Sequence, residues 1–249
     1  LTIDRASLAV TSLENPSMKL PRFVLAVSVA FAAFVSQAKA DNILNAGDPA
    51  PALKVSDWVK GNKVEKLEPG KTYVVEFWAT WCGPCIAAMP HVTELAKKYK
   101  DKGVTFIGVD VWENDLTKVK PFIENMGEKI GYNLVLDSIP AGGKANDGAM
   151  ATTWLKAAEE NGIPSSFIIK DGKIAWIGHP MGMDKPLAEI VDGKWDAVAF
   201  GKQRLAVKLV QQKTSKVQRV VYPLLNQKKY KEVIKAIDEL TSGDTDLAK

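Results

Sequence analysis

Tyr73-Val74-Val75-Glu76-Phe77-Trp78-Ala79-Thr80-Trp81-Cys82-Gly83-Pro84-Cys85-Ile86-Ala87-Ala88-Met89 contains both cysteines of the 249-residue chain. Residues 73–78 are β-prone and, apart from one acid, apolar. That pattern predicts a buried strand delivering Cys82 to its end. Residues 86–89 open a run of good helix formers, so Cys82 falls at a helix N-terminus. There the unpaired backbone N–H groups and the positive end of the helix dipole favour a thiolate over a thiol. Two cysteines two residues apart can close a small disulfide or bind a metal, and the strand–cysteine–helix arrangement points to the first. They cannot complete a structural zinc site without histidine, and His91 and His179 are the only histidines. The stretch points to thiol–disulfide chemistry.

Upstream, Met18-Lys19-Leu20-Pro21-Arg22 is a short basic stretch followed by an apolar run over residues 23–35. Ala38-Lys39-Ala40 then supplies small residues at the two positions an export peptidase reads. This predicts a signal peptide over 18–40, cleaved after Ala40, and an exported, periplasmic protein. The apolar run is short for a membrane span; the alternative is an uncleaved anchor. Met18 is the expected start, with residues 1–17 an upstream extension. The formal net charge is +4, half of it from residues 1–40, too small a bias to indicate a nucleic-acid partner.

Residues 45–70 are turn-rich (Gly47-Asp48-Pro49-Ala50-Pro51, Lys60-Gly61-Asn62, Pro69-Gly70), and the short apolar pieces at 53–55 and 64–67 suggest an edge hairpin. A helix is expected over about 82–100, kinked at Pro90, then a second buried strand over 104–109. Asp115 is placed to cap a helix ending near Met126, with Val119, Phe122, Ile123 and Met126 on one face. A short strand at 132–136, a helix over 149–160 and a hairpin at 166–177 complete the domain. Strands that alternate with helices and end in a hairpin predict an α/β fold, a mixed central sheet flanked by helices on both faces. The expected domain spans residues 41–195.

Composition changes after Trp195. Residues 197–231 hold nine lysines and arginines and no acid, with apolar residues at helical spacing. Residues 196–249 therefore read as a basic helical extension of two or three helices, broken at Pro223. Its basic residues read as a solvated helix face; the sharper reading is a patch for peripheral contact with anionic lipid or an acidic partner.

The cysteine motif and its surroundings resemble the thioredoxin superfamily, and residues 45–195 resemble its exported redoxin branch of the TlpA/ResA type. Four features fall in order: an acid six residues before the first cysteine, Cys82-Gly83-Pro84-Cys85, Pro90 five residues after the second, and a distant Ile163-Pro164 ahead of a strand. The resemblance implies that Cys82 attacks and Cys85 resolves, through a redox-active Cys82–Cys85 disulfide with no other cofactor and no metal. It implies that Glu76, expensive to bury ionised, accepts the proton of Cys85 through a water. Pro164 takes the place of a cis-proline facing the disulfide, leaving Ile163 to pair with an extended substrate chain. Trp81 is expected on an exposed lip for protein substrates, beside Gly83 and Pro84, with Trp78 packed beneath.

Gly83-Pro84 resembles the dipeptide of reducing family members. The implied activity is reduction of protein disulfides, as in cytochrome c maturation, fed by a membrane electron donor of the disulfide-carrier type. Trp112 and Glu113, after the second strand, are expected to border the pocket, and His91 and His179 to lie on the surface or in loops. The redoxin likeness also raises a thiol peroxidase with antioxidant activity. Thr80, two rather than three residues before Cys82, counts against it. A copper-site assembly chaperone is disfavoured by the narrow cysteine spacing.

Overall fold

The computed structural model describes residues 43–241, so the expected signal peptide over 18–40 and the extension over 1–17 lie outside the described residues. Strand β2 (Thr72–Trp78) is buried at all seven positions, because it lies inside the sheet and both its faces are covered. The sheet has six strands in the order β1-β4-β3-β2-β5-β6. These are β1 (Val55–Lys60), β3 (Val104–Asp110), β4 (Asn133–Asp137), β5 (Ser165–Lys170) and β6 (Lys173–Gly178) around β2. β2, β3 and β4 run parallel. β1, β5 and β6 pair antiparallel with their neighbours. The parallel pairs are joined through helix α1 (Gly83–Tyr99) and helix α2 (Val119–Met126), the crossovers a parallel pairing requires. Asp171 and Gly172, both at positive φ, turn β5 into β6 as a two-residue hairpin loop.

Alternation along the strands makes two cores. Val74, Trp78, Phe106, Leu134 and Ile168 pack with Cys85, Met89 and Val92 of α1, with Val119 and Ile123 of α2, and with Leu187 of helix α3 (Asp184–Val191). Tyr73, Val75, Phe77, Ile107, Val109, Phe167 and Ile169 pack on the other face against Trp154 and Leu155. Asp115 accepts from Thr117 N at 3.1 Å, capping a 3-10 turn that leads into α2.

Three expectations need correction. No hairpin forms over residues 53–67: β1 alone becomes a strand and pairs with β4. Gly61, at φ 82°, turns the chain onto β4 so closely that a Cβ would collide with Asn133 Oδ1. Asn62 N donates to that same oxygen at 2.8 Å, so the turn is anchored to the sheet rather than to a second hairpin arm. Second, the segment expected as a helix over 149–160 contains a six-residue π-helix, Ala151–Lys156. Helix-forming residue types cannot tell an i→i+5 ladder from an i→i+4 one over so short a run.

Third, Pro223 does not break the extension. Helix α4 (Ala197–Asn226) passes through it. The residue is exposed, so the carbonyl it leaves unpaired is open to water. The break comes at residues 227–229, where Lys228 has φ 57°, before helix α5 (Tyr230–Thr241). Nor does the change in composition at residue 196 mark a break in packing. Phe200 stacks on Trp176, and Gly201 lies against Ala46. Arg204, 8% exposed, donates to Ala158 O and Glu160 Oε1, both at 2.6 Å. No helix among the described residues is long and apolar enough to cross a membrane.

Candidate active site

The end of β2 hands the chain to the cysteine motif through a short, well-tethered segment. Val111 N donates to Trp78 O at 2.9 Å, and Cys82 N to Ala79 O at 3.1 Å. Thr80 donates from N and from Oγ1 to Glu113 Oε2, at 3.0 and 2.7 Å. Trp81 Nε1 donates to Trp112 O at 3.2 Å. Segment 110–113 is thus the floor on which residues 78–81 rest.

Cys82 is the N-cap of α1, and its Sγ accepts from Cys85 N at 3.2 Å. The first turn of α1 carries no acid, so the positive end of its dipole is unopposed at the sulfur. Cys82 and Cys85 are joined as a disulfide with Cα atoms 5.2 Å apart. Cys85 is fully buried, whereas Cys82 keeps 4% exposure. Around Cys82, Gly83 and Pro84 are exposed and Trp81 is 55% exposed. Trp78 is buried beneath and stacks on Phe122.

The Ile163–Pro164 peptide is cis, and Ile163 O lies 3.7 Å from Cys82 Sγ. The fold thereby joins residues 81 positions apart in sequence. Glu76 is buried on the face that also holds Cys85. Burial pushes its carboxyl up to about 8, against a weak opposing hydrogen bond from Tyr132. The Tyr132 hydroxyl donates to Oε2 at 3.5 Å, while Oε1 has no partner among the described residues.

Two side chains escaped the sequence reading. Asp110, at the end of β3, is 2% exposed and neither of its carboxyl oxygens has a partner among the described residues. Burial first, then the nearby charges of Glu113 and Asp137, push it up to about 8. In sequence it reads as the polar stop after an apolar strand; only the pairing of β3 between β2 and β4 reveals its burial. Tyr132 reads as a strand residue, but it precedes β4 and reaches Glu76. Glu113, expected at the pocket border, accepts from Thr80 N and Oγ1, so the Thr80 hydroxyl is already committed. Neither histidine lies at the cysteines: His91 Nε2, on α1, pairs with Asp184 Oδ2 of α3 at 2.8 Å, and His179 Nδ1 accepts from Met181 N.

The family model for redoxin matches residues 45–185. Protein FixW of Rhizobium leguminosarum is 32% identical over 173 residues, covering 65% of this chain and 72% of that protein. The thiol-disulfide oxidoreductase ResA of Bacillus cereus is 33% identical over 153 residues, covering 61% and 79%. Among solved structures, the thioredoxin domain of a thiol-disulfide oxidoreductase from Bacteroides vulgatus aligns at 26% identity and a TM-score of 0.47. That alignment covers 59% of this chain and 99% of that one. With the redoxin match extending over more than half of its length and oxidoreductases among its relatives, the chain belongs to the redoxin family and is a thiol-disulfide oxidoreductase.

Proposed function

We propose that this oxidoreductase works as an exported reductase of protein disulfides, with Cys82 as nucleophile and Cys85 as resolving thiol. The observation that carries the reading is the asymmetry of the pair: Cys82 caps α1 beside an exposed tryptophan, and Cys85 is sealed beneath it. The Cys82 thiolate attacks a substrate disulfide, forming a mixed disulfide and expelling one substrate thiolate. Cys85 then gives its proton to Glu76 and attacks Cys82 Sγ. The Cys82–Cys85 bond forms, the mixed disulfide breaks, and the second substrate sulfur leaves with the electron pair. Two electrons have moved to the substrate, and a dithiol donor must return two to the protein. In an oxidising compartment that donor is a membrane disulfide carrier.

The Ile163 backbone, beside Cys82 Sγ, offers hydrogen-bonding groups to an extended substrate strand, and Trp81 with Gly83-Pro84 forms the apolar lip. Export rests on the signal peptide read over 18–40. A role in keeping thiols reduced for cytochrome c assembly follows from the likeness to the TlpA/ResA branch.

The test is thiol release from a small disulfide-bonded protein by the dithiothreitol-reduced enzyme. Cys82→Ser is expected to abolish it, and Cys85→Ser to accumulate a mixed disulfide on Cys82, seen as a reducible adduct on a non-reducing gel. Silent loss in both variants, with no adduct, contradicts the assignment of roles.

A further inference from the structure

Helix α4 is fastened to the domain along its first half. Among the described residues Phe200 is the last one packed on either core, and Lys208 and Gln212 tie the helix to Glu159. Further on, α4 packs with α5, and Val221, Val233 and Ala236 are the buried apolar side chains there. Three small side chains make a thin core for two helices, and larger ones stay outside it. Tyr222, Leu225, Tyr230 and Ile234 are 40–62% exposed. They flank the turn at residues 227–229, where Lys228 and Lys229 are exposed, with Lys231 following on α5. No acid occurs between Asp196 and Glu232, and none of these three lysines forms an ion pair among the described residues. Tyr230 and Ile234, four residues apart, share a face of α5, whereas Glu232 lies about 200° around the helix from Tyr230.

Basic residues alone are a solvated face. Lysines set among exposed tyrosine, leucine and isoleucine side chains form a surface with two needs, an anion and an apolar phase. A bilayer carrying anionic lipid meets both: tyrosine rings settle at headgroup level, aliphatic side chains at the acyl boundary, and lysines on the phosphates. An acidic helix laid along α4 fits less well. The groove it would fill, lined by Val210, Val217, Val221, Tyr222 and Leu225, has Lys213 as its one basic residue; the other lysines stand beyond its end, at the turn.

We propose that the turn between α4 and α5 docks the protein on an anionic lipid surface. Tyr222, Leu225, Tyr230 and Ile234 enter the headgroup region, and Lys228, Lys229 and Lys231 lie against lipid phosphates. Docked in this way, the enzyme searches for a membrane electron donor in two dimensions. Docking itself needs no redox step, so it stands or falls separately from the function proposed above.

The experiment is co-sedimentation with phosphatidylcholine vesicles, with and without phosphatidylglycerol. The protein is residues 41–249, which hold both cores and every strand and helix described. Binding is expected to require phosphatidylglycerol and to fall as salt is added. Lys229→Gln with Lys231→Gln is expected to weaken it about 25-fold, about fivefold for each charge at such a surface. Tyr230→Ser with Ile234→Ser is expected to weaken it about tenfold through lost apolar burial. Both pairs should release thiols from a disulfide-bonded protein at the wild-type rate in solution, which shows that they fold. No binding to phosphatidylglycerol vesicles, equal binding to both kinds, or binding that Tyr230→Ser with Ile234→Ser leaves intact overturns the proposal. So does a dimer in solution that this second pair dissociates, because the face then belongs to another copy of the chain. A protein that reduces disulfides without binding vesicles overturns the docking alone; one that binds as expected without reducing disulfides supports the docking and overturns the reductase reading.

Discussion

The two faces of β2 are made from alternate residues of one strand and are built to opposite specifications. Tyr73, Val75 and Phe77 enter an apolar layer in which Phe77, Phe167 and Trp154 meet at centroid distances of 5.4–6.2 Å. Val74, Glu76 and Trp78 enter the layer with the disulfide, and there, among the described residues, the same sheet holds an acid with neither oxygen paired, a second acid with one oxygen unpaired, and an indole N–H and a serine hydroxyl without partners. Aromatic burial on the first face supplies stability. Solvating those groups would favour the unfolded chain, so the second face costs stability. The division lets a small domain keep reactive groups in its interior: one face tolerates what the other has stabilised.

The largest effect expected from this division belongs to the apolar face. Trp154→Ala should cost about 3–5 kcal/mol in urea unfolding, with the rate per folded molecule and its pH profile unchanged. A loss under about 1 kcal/mol, or a shifted profile, would erase the distinction between the faces.

Next comes the pH dependence of stability, where the acids of the second face act. Glu76 rises from an ordinary 4.5, and Asp110 from 3.8, to about 8 in the fold. Below the ordinary values both states are protonated and the acids cost nothing as charges. As pH rises from about 4 towards about 8 the unfolded chain ionises first, so each acid lowers stability through that window. Above about 8 the decline stops. Glu76→Gln should remove one acid's share of this slope and make the protein more stable than wild type at pH 8. An unchanged slope would mean that Glu76 is ionised in the fold.

The smallest effect is expected at Ser166. Its hydroxyl has no partner among the described residues, so Ser166→Ala should change stability by less than about 1 kcal/mol. A larger loss would mean that the hydroxyl is strongly bound in the fold, with water as the candidate.

Much of this contrast was legible in the chain before the fold was known. Glu76 inside an apolar run announced a buried acid, and the alternation of strands with helices, closed by Asp171-Gly172, gave the mixed sheet. Local pattern carries those features. Asp110 was illegible because its burial depends on β3 lying between β2 and β4, a long-range fact, and because an acid at a strand end looks like a boundary. The tether from Thr80 to Glu113 spans 33 residues and leaves no periodic mark. Pro223 misled in the opposite way: its local signal for a break was real, but an exposed helix end can solvate the carbonyl it strands.

The most direct test of the account is the reduction potential of the Cys82/Cys85 pair, obtained by equilibrating the purified protein in dithiothreitol redox buffers and counting free thiols. A protein-disulfide reductase with Gly83-Pro84 between its cysteines is predicted to lie close to thioredoxin's potential of about −270 mV. A value near about −120 mV, that of a strong disulfide donor, would contradict the account and reverse the direction of electron flow.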